Sequence, residues 1–297
     1  MQYILSTFRL NEVRAVPAVL LFTILLIGTF WFSVVYFGSS PSASYLRVGS
    51  AEGLVTEVPT ELVTGVNNAG ATEQVPAVVG RVAPGAMISF NFDNGYESAY
   101  LKALPIFDAA GFKTTHYIIT ERIGHQGYAN TAQIVSMSKR GHEIGSQTRT
   151  HPRLTELDGV IARAEIEGSR EDLTTLGLPV ATFAYPYGDL NASLEQDVQA
   201  QGFLGARGAG VAPNDTSSDV YALRGLEVGA ETTLAEVKAT IDAALREKKW
   251  LILVFHRVDE IDTKDGRSVT SVMLKSIVQY VKAKNIPVVT NERALHG

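Results

Sequence analysis

From Met87 onward, short apolar runs rich in β-branched and aromatic residues alternate with stretches of helical periodicity. This pattern is the mark of βα units around a parallel sheet. The runs predict strands at Met87–Phe92, Thr114–Ile119, Glu143–Ser146, Thr182–Tyr185, Leu204–Arg207, Trp250–Phe255 and Pro287–Thr290. Between them, amphipathic spacing predicts helices at Ser98–Ala110, Thr131–Arg140, Asp158–Leu176, Leu194–Gln201, Leu234–Arg246 and Val269–Lys284. Gly111, Gly141, Gly177 and Gly202 each follow one of the first four helices, where a chain leaving a helix favours glycine. No glycine-rich phosphate turn follows the first strand, so the expectation is an α/β fold, a distorted (β/α) barrel of about seven units, rather than an open dinucleotide-binding sheet.

A different pattern precedes this domain. Ala15 to Leu46 contains no charged residue, and Ala18–Phe37 is apolar apart from Thr23, Gly28, Thr29 and Ser33. A run of that length spans a bilayer core as a helix, whereas the apolar core of a cleaved signal peptide usually has about 7 to 15 residues. Arg9 and Arg14 precede the run, which puts the N-terminus on the cytoplasmic side. The expected organisation is a cytoplasmic N-terminus at 1–16, a transmembrane signal-anchor helix at 17–38, a linker at 39–84 and a domain at 85–297. That domain would lie outside the cytoplasm, on a single-pass cell-membrane protein. Within the linker, Leu54–Val58 and Val75–Val79 have the composition of short strands.

Composition narrows the chemistry. The 297 residues are 45% apolar and 19% charged, enough to bury a full core, and the net charge is -5 without any basic run. Nucleic acid is therefore not an expected partner, because phosphate binding needs concentrated positive charge. The absence of cysteine excludes thiolate metal sites, disulfides and cysteine nucleophiles.

Polar, titratable residues then fall at strand ends: Asp93 and Asn94 after the first strand, Gln147 and His151 after the third, Tyr185 to Gly188 after the fourth. Arg207 ends the fifth, and His256 follows the sixth. In a βα barrel such positions converge on one mouth. Each alone has an ordinary reading: Asn94-Gly95 as a turn, His256 as a hydrogen-bonded core-edge histidine, Arg207 and Arg224 as structural ion-pair residues. Their convergence is the stronger signal.

The segments Asn91-Phe92-Asp93-Asn94-Gly95-Tyr96 and Gly141-His142-Glu143-Ile144-Gly145-Ser146-Gln147-Thr148-Arg149-Thr150-His151-Pro152 resemble the polysaccharide deacetylases, the NodB-homology family or carbohydrate esterase family 4. The motifs of that family run Thr-Phe-Asp-Asp-Gly and His-Ser/Thr-x-x-His, and its metal sits on an Asp and two His. Here Asn94 and Gln147 occupy two of those ligand positions and His151 the third. The resemblance, from about Met87 to Thr290, implies Asp93 as general base, His256 as general acid and the Tyr187 backbone N–H as oxyanion donor. Ala184 stands where the family often has a supporting Arg, which leaves Arg207 or Arg224 to orient Asp93. Tyr96 and Tyr185 are candidates for contacting a sugar. The implied substrate is an N-acetylated cell-envelope glycan or cell-wall polymer. Zinc or a similar divalent ion would bind weakly or not at all, because two neutral amides replace charged or imidazole donors. Three functions follow: a deacetylase with a degenerate metal site, a metal-independent amide hydrolase, or an inactive glycan-binding pseudoenzyme.

Overall fold

The structure is a computed structural model that describes residues 34–40, 43–49, 55–59, 79–260 and 266–296. The chain divides into two units, Met1–Glu73 and Gln74–Gly297. In the first, strands β1 (Val34–Ser40), β2 (Ala43–Gly49) and β3 (Val55–Pro59) form an antiparallel sheet. Most of the expected membrane helix at 17–38 lies outside the described residues, and its last positions, 34–38, fall in β1. Among the described residues no helix is long and apolar enough to cross a membrane.

The second unit contains a curled parallel sheet. Its strands are β4 (Met87–Phe92), β5 (Thr115–Ile118), β6 (Glu143–Ser146), β7 (Thr182–Ala184), β8 (Gly205–Arg207), β9 (Leu226–Glu227) and β10 (Trp250–Phe255). Their spatial order is β8-β7-β6-β5-β4-β10-β9, a seven-stranded half-barrel. The expected bounds of β4, β6 and β10 coincide with the observed ones. Pro287–Thr290 makes only a bridge, Val288 to Ile88, beside the N-terminal half of β4. The neighbouring β5 pairs with β4 only at Asn91 and Phe92, so this short segment fills the space left below. One stretch of chain joins the two edges of the sheet. Val220 and Leu223 exchange backbone hydrogen bonds with Ala206 of β8 at 2.8 and 3.0 Å, and three residues later β9 pairs with β10.

Strand alternation separates two environments. Phe90 and Phe92 of β4, with Leu251, Leu253 and Phe255 of β10, face outward. They pack against α1 (Leu104–Ala110), α5 (Leu234–Glu247) and α6 (Ser271–Ala283). Ile118, Ile144, Phe183 and Ala206 pack with α2 (Thr131–Lys139), α3 (Gly159–Thr175) and α4 (Ala192–Ala200). Each fully buried large side chain of this kind stabilises the fold by roughly 1.5–3 kcal/mol. The other face of the strands fills the lumen, where Ser89, Asn91, Thr115, Tyr117, Glu143, Thr182 and Arg207 are all buried. Helix starts follow local chemistry: Asn130 with Gln133 and Thr233 with Glu236 form reciprocal capping boxes. Gly111, Gly141, Gly177 and Gly202 all take left-handed φ at helix ends, between 76° and 82°. A π-helical turn, Ala99–Ala103, leads into α1. Short strands β11 (Arg257–Val258) and β12 (Ser268–Val269) and helix α7 (Asn291–His296) complete the unit.

Candidate active site

Strand register places the two principal residues side by side. Phe92 of β4 and Phe255 of β10 are paired, so Asp93 and His256 leave adjacent strands together, and the Asp93 N–H donates to the Phe255 carbonyl at 2.8 Å. Arg207, last in β8, reaches Asp93 across the lumen. Its Nη2 donates to Asp93 Oδ2 at 2.5 Å, with both side chains about 5% exposed. Arg224 does not share this task. Its guanidinium donates to the Pro213 carbonyl at 2.9 Å and to Ser218 Oγ at 3.4 Å, tying down the 213–218 loop.

Gln147 clips the loops after β4 and β6 together. Its Oε1 accepts the Asn94 N–H at 2.7 Å and its Nε2 faces Asp93 Oδ2 at 3.4 Å. A backbone N–H can only donate, so the amide oxygen must point there and the amino group toward the carboxylate. The His151 loop is held from α3: Glu165 Oε2 accepts the N–H groups of Arg149 and Thr150, each at 2.9 Å, and Asp172 binds the Arg149 guanidinium at 2.7 and 2.9 Å. Asn94, Thr148, His151 and Tyr187 all adopt left-handed φ between 59° and 70°, a conformation that disfavours residues with a Cβ. The His151 ring meets the Tyr187 ring edgewise at 4.8 Å, and Arg153 lies over the Tyr187 ring at 4.3 Å while pairing with Asp189.

These residues surround a cavity of about 410 Å³ lined by Asp93, Gln147, His151, Tyr187, Arg207 and His256, among others. Burial lowers the His256 imidazole below the ordinary histidine value, against an upward pull from Asp93 and Glu227. Burial also lowers His151, to about 4, with Asp93 opposing. Both rings are therefore neutral at pH 7. Glu227 Oε1 stands 3.7 Å from His256 Nδ1. Asp93 Oδ1, Asn94 Oδ1 and the Tyr185 hydroxyl are buried without hydrogen-bond partners. The Tyr187 N–H belongs to the first turn of a 3-10 segment, Pro186–Gly188, where N–H groups have no intrahelical acceptor.

The donor set does not suit a divalent metal. The oxygen of Gln147 is taken by a backbone N–H, His151 is the sole imidazole of the three candidate ligands, and no cluster of three His, Asp or Glu suited to an ion exists among the described residues. Tyr96 lies away from the cavity: its ring stacks on Tyr128 at 5.0 Å with Arg257 over it at 4.6 Å, and its hydroxyl accepts Asn94 Nδ2 at 3.3 Å. Tyr185 lines the cavity but is only 1% exposed and its hydroxyl is buried too, so its ring face is closed to a sugar. Sequence reasoning missed Glu227, Arg153 and Arg267. Glu227 sits in Gly225-Leu226-Glu227-Val228-Gly229, too short an apolar run to register as a strand.

Residues 80–206 match the family model of polysaccharide deacetylases. Over 135 residues the chain is 30% identical to a gellan lyase from a Bacillus species, a match covering 45% of this chain and 5% of that protein. It is 27% identical over 144 residues to the Bacillus subtilis protein YxkH, named as a candidate polysaccharide deacetylase, covering 48% of this chain and 51% of YxkH. The chain thus spans about half of YxkH and a small part of the lyase. Among solved structures it is similar to the Xyl-CE4 domain of a multidomain xylanase from the hindgut metagenome of Trinervitermes trinervoides. That likeness has a TM-score of 0.53 and 19% identity, and covers 71% of this chain and 89% of that one.

Proposed function

We propose that the unit Gln74–Gly297, whose residues 80–206 match the polysaccharide deacetylase family, hydrolyses N-acetyl groups of cell-envelope glycans without a tightly bound metal, outside a membrane to which the N-terminal apolar run anchors it. The observation that carries this reading is the buried Asp93–Arg207 pair beside a neutral His256 in one cavity. A binding module would have no need to bury an ion pair next to an imidazole, whereas amide hydrolysis needs a base, an acid and an oxyanion donor.

The family resemblance assigns the base to Asp93 and the acid to His256. Because His256 starts neutral, it has no proton to give until it has taken one. In our reading His256 removes a proton from water as the oxygen attacks the acetamide carbon, and Asp93 stabilises the imidazolium. The Tyr187 N–H donates to the oxyanion. The C–N bond then breaks as His256 returns its proton to the departing nitrogen, leaving a free amino sugar and acetic acid, which ionises to solvent. Asn94 and Gln147 hold the Asp93 loop rather than an ion.

The test is acetate release from N-acetylglucosamine oligomers by the full chain in detergent, with and without a chelator. Chelator-resistant release supports the proposal. Release abolished by the chelator would mean that Asn94 and Gln147 do tolerate a catalytic metal. No release, with sugar binding seen by calorimetry, would make this a glycan-binding pseudoenzyme.

A further inference from the structure

The lumen contains a buried carboxyl that the chemistry above does not use. Glu143 opens β6 at the end of the sheet opposite the cavity, and it is 6% exposed. Its Oε2 accepts from Thr115 Oγ1 at 2.8 Å and from the Glu292 N–H of α7 at 2.9 Å, and its Oε1 accepts from Thr182 Oγ1. Thr182 Oγ1 is also 3.1 Å from the Tyr117 hydroxyl, which accepts Asn291 Nδ2 at 2.8 Å. Tyr117 is fully buried, and its ring lies under the Arg207 guanidinium at 5.4 Å. Arg207 holds Asp93.

We propose that Glu143 is a positioning residue for Asp93, acting the length of the lumen through Thr182, Tyr117 and Arg207. Three features of the chain support a built connection. Burying a carboxyl is costly, and burial pushes Glu143 up to about 7, so a carboxyl here needs a reason beyond filling space. A phenylalanine would pack at position 117 as well as tyrosine unless the hydroxyl has work, and here it has two partners that fix how deep the ring sits. Finally, Gly145 on β6 leaves the room Tyr117 occupies, since a Cβ there would come within 2.4 Å of the ring. The guanidinium thus rests on a ring whose far end is anchored to the Glu143 cluster. Apart from this ring, Arg207 is held only by Asp93 and, through Nη1, by the carbonyl of its own neighbour Gly208 at 3.2 Å, which leaves the guanidinium room to pivot.

The functional readout rests on the deacetylase reading, so the experiment pairs it with a structural one. Crystal structures and steady-state kinetics of the full chain are compared for wild type, Glu143→Ala, Glu143→Gln and Tyr117→Phe. We expect Glu143→Ala and Tyr117→Phe to move Arg207 off Asp93 and lower kcat with KM unchanged. A displacement of about 1 Å at a reacting group is enough for about 100-fold. Glu143→Gln retains an acceptor oxygen for the cluster and should recover most of kcat. If Glu143→Ala does not fold, Tyr117→Phe carries the test, because it removes one oxygen. An Arg207–Asp93 contact unchanged at 2.5 Å in these variants overturns the proposal. Wild type that releases no acetate overturns the functional reading instead, and the crystallographic contact still decides the role of Glu143.

Discussion

Replacing Arg207 by Met removes one half of an ion pair whose side chains are 5% and 6% exposed. Water cannot solvate the carboxylate left behind, and removing one partner of a buried pair costs about 3–5 kcal/mol. Asp93→Asn has a comparable cost, because the buried guanidinium then has no countercharge and only neutral neighbours: an amide oxygen, the Gly208 carbonyl at 3.2 Å and the Tyr117 ring. Two independent losses would sum to roughly 6–10 kcal/mol. The double variant has neither charge to strand, so it should fall well short of that sum, with a coupling energy of about 2–3 kcal/mol. Urea unfolding of the full chain, followed by the fluorescence of the buried Trp250 in β10, measures all four corners of the cycle. Additivity within about 0.5 kcal/mol would show that the two groups do not depend on each other, and the account of how Asp93 is held would fail.

Asp93→Asn and His256→Ala should each abolish acetate release, and full activity in either variant would remove that residue from the mechanism. If neutral His256 is the base, kcat/KM should stay level through neutral pH and fall only as pH drops below the ordinary histidine value; a decline on raising pH through that region would instead mark His256 as an acid from the start. Stability should fall as well between about pH 6.5 and about pH 4, because His142 and His151 are lowered to about 4 in the fold and the unfolded chain binds the protons first, at about 1.4 kcal/mol per pH unit for each histidine. Glu143, raised to about 7, works in the opposite sense, stabilising the fold at low pH and less so as pH rises to 7. Glu143→Gln should therefore steepen the acid-side loss in pH-dependent unfolding. Asn94→Asp with Gln147→His should gain zinc affinity by calorimetry, with His151 as third donor, and no gain would mean the loop after β6 cannot turn a side chain toward that point.

Strands β4, β6 and β10 keep their expected bounds for different reasons: β10 is a continuous apolar run and β4 alternates apolar with small polar residues, whereas β6, Glu-Ile-Gly-Ser, is bounded by the Gly141 turn before it and the polar Gln147 segment after it. The two-residue strands β9, β11 and β12 and the six-residue α7 carry too few side chains for any period to show. The segment bridging the sheet edges was hidden for a different reason: Val220 and Leu223 bind β8 through backbone atoms, which no side-chain pattern records. At the site, strand-end position alone brought Asp93, His151, Arg207 and His256 to one cavity. Choosing Arg207 over Arg224 required coordinates, since both follow apolar residues and only distance separates them. Tyr96 was misleading because its place in a motif said nothing about Tyr128, 32 positions further along the chain, which covers one face of its ring.

The four left-handed residues in the loops after β4, β6 and β7, Asn94, Thr148, His151 and Tyr187, reverse the usual rule about glycine. At most positions glycine loosens a protein, but here it would release roughly 1 kcal/mol or more of backbone strain per site. Selection for heat resistance alone would therefore drift toward glycine in these loops, gaining robustness while shedding the His151 imidazole and the Tyr187 phenol that line the cavity. These positions are where stability and activity compete in this chain, and a laboratory lineage evolved for one should reveal the other by what it discards.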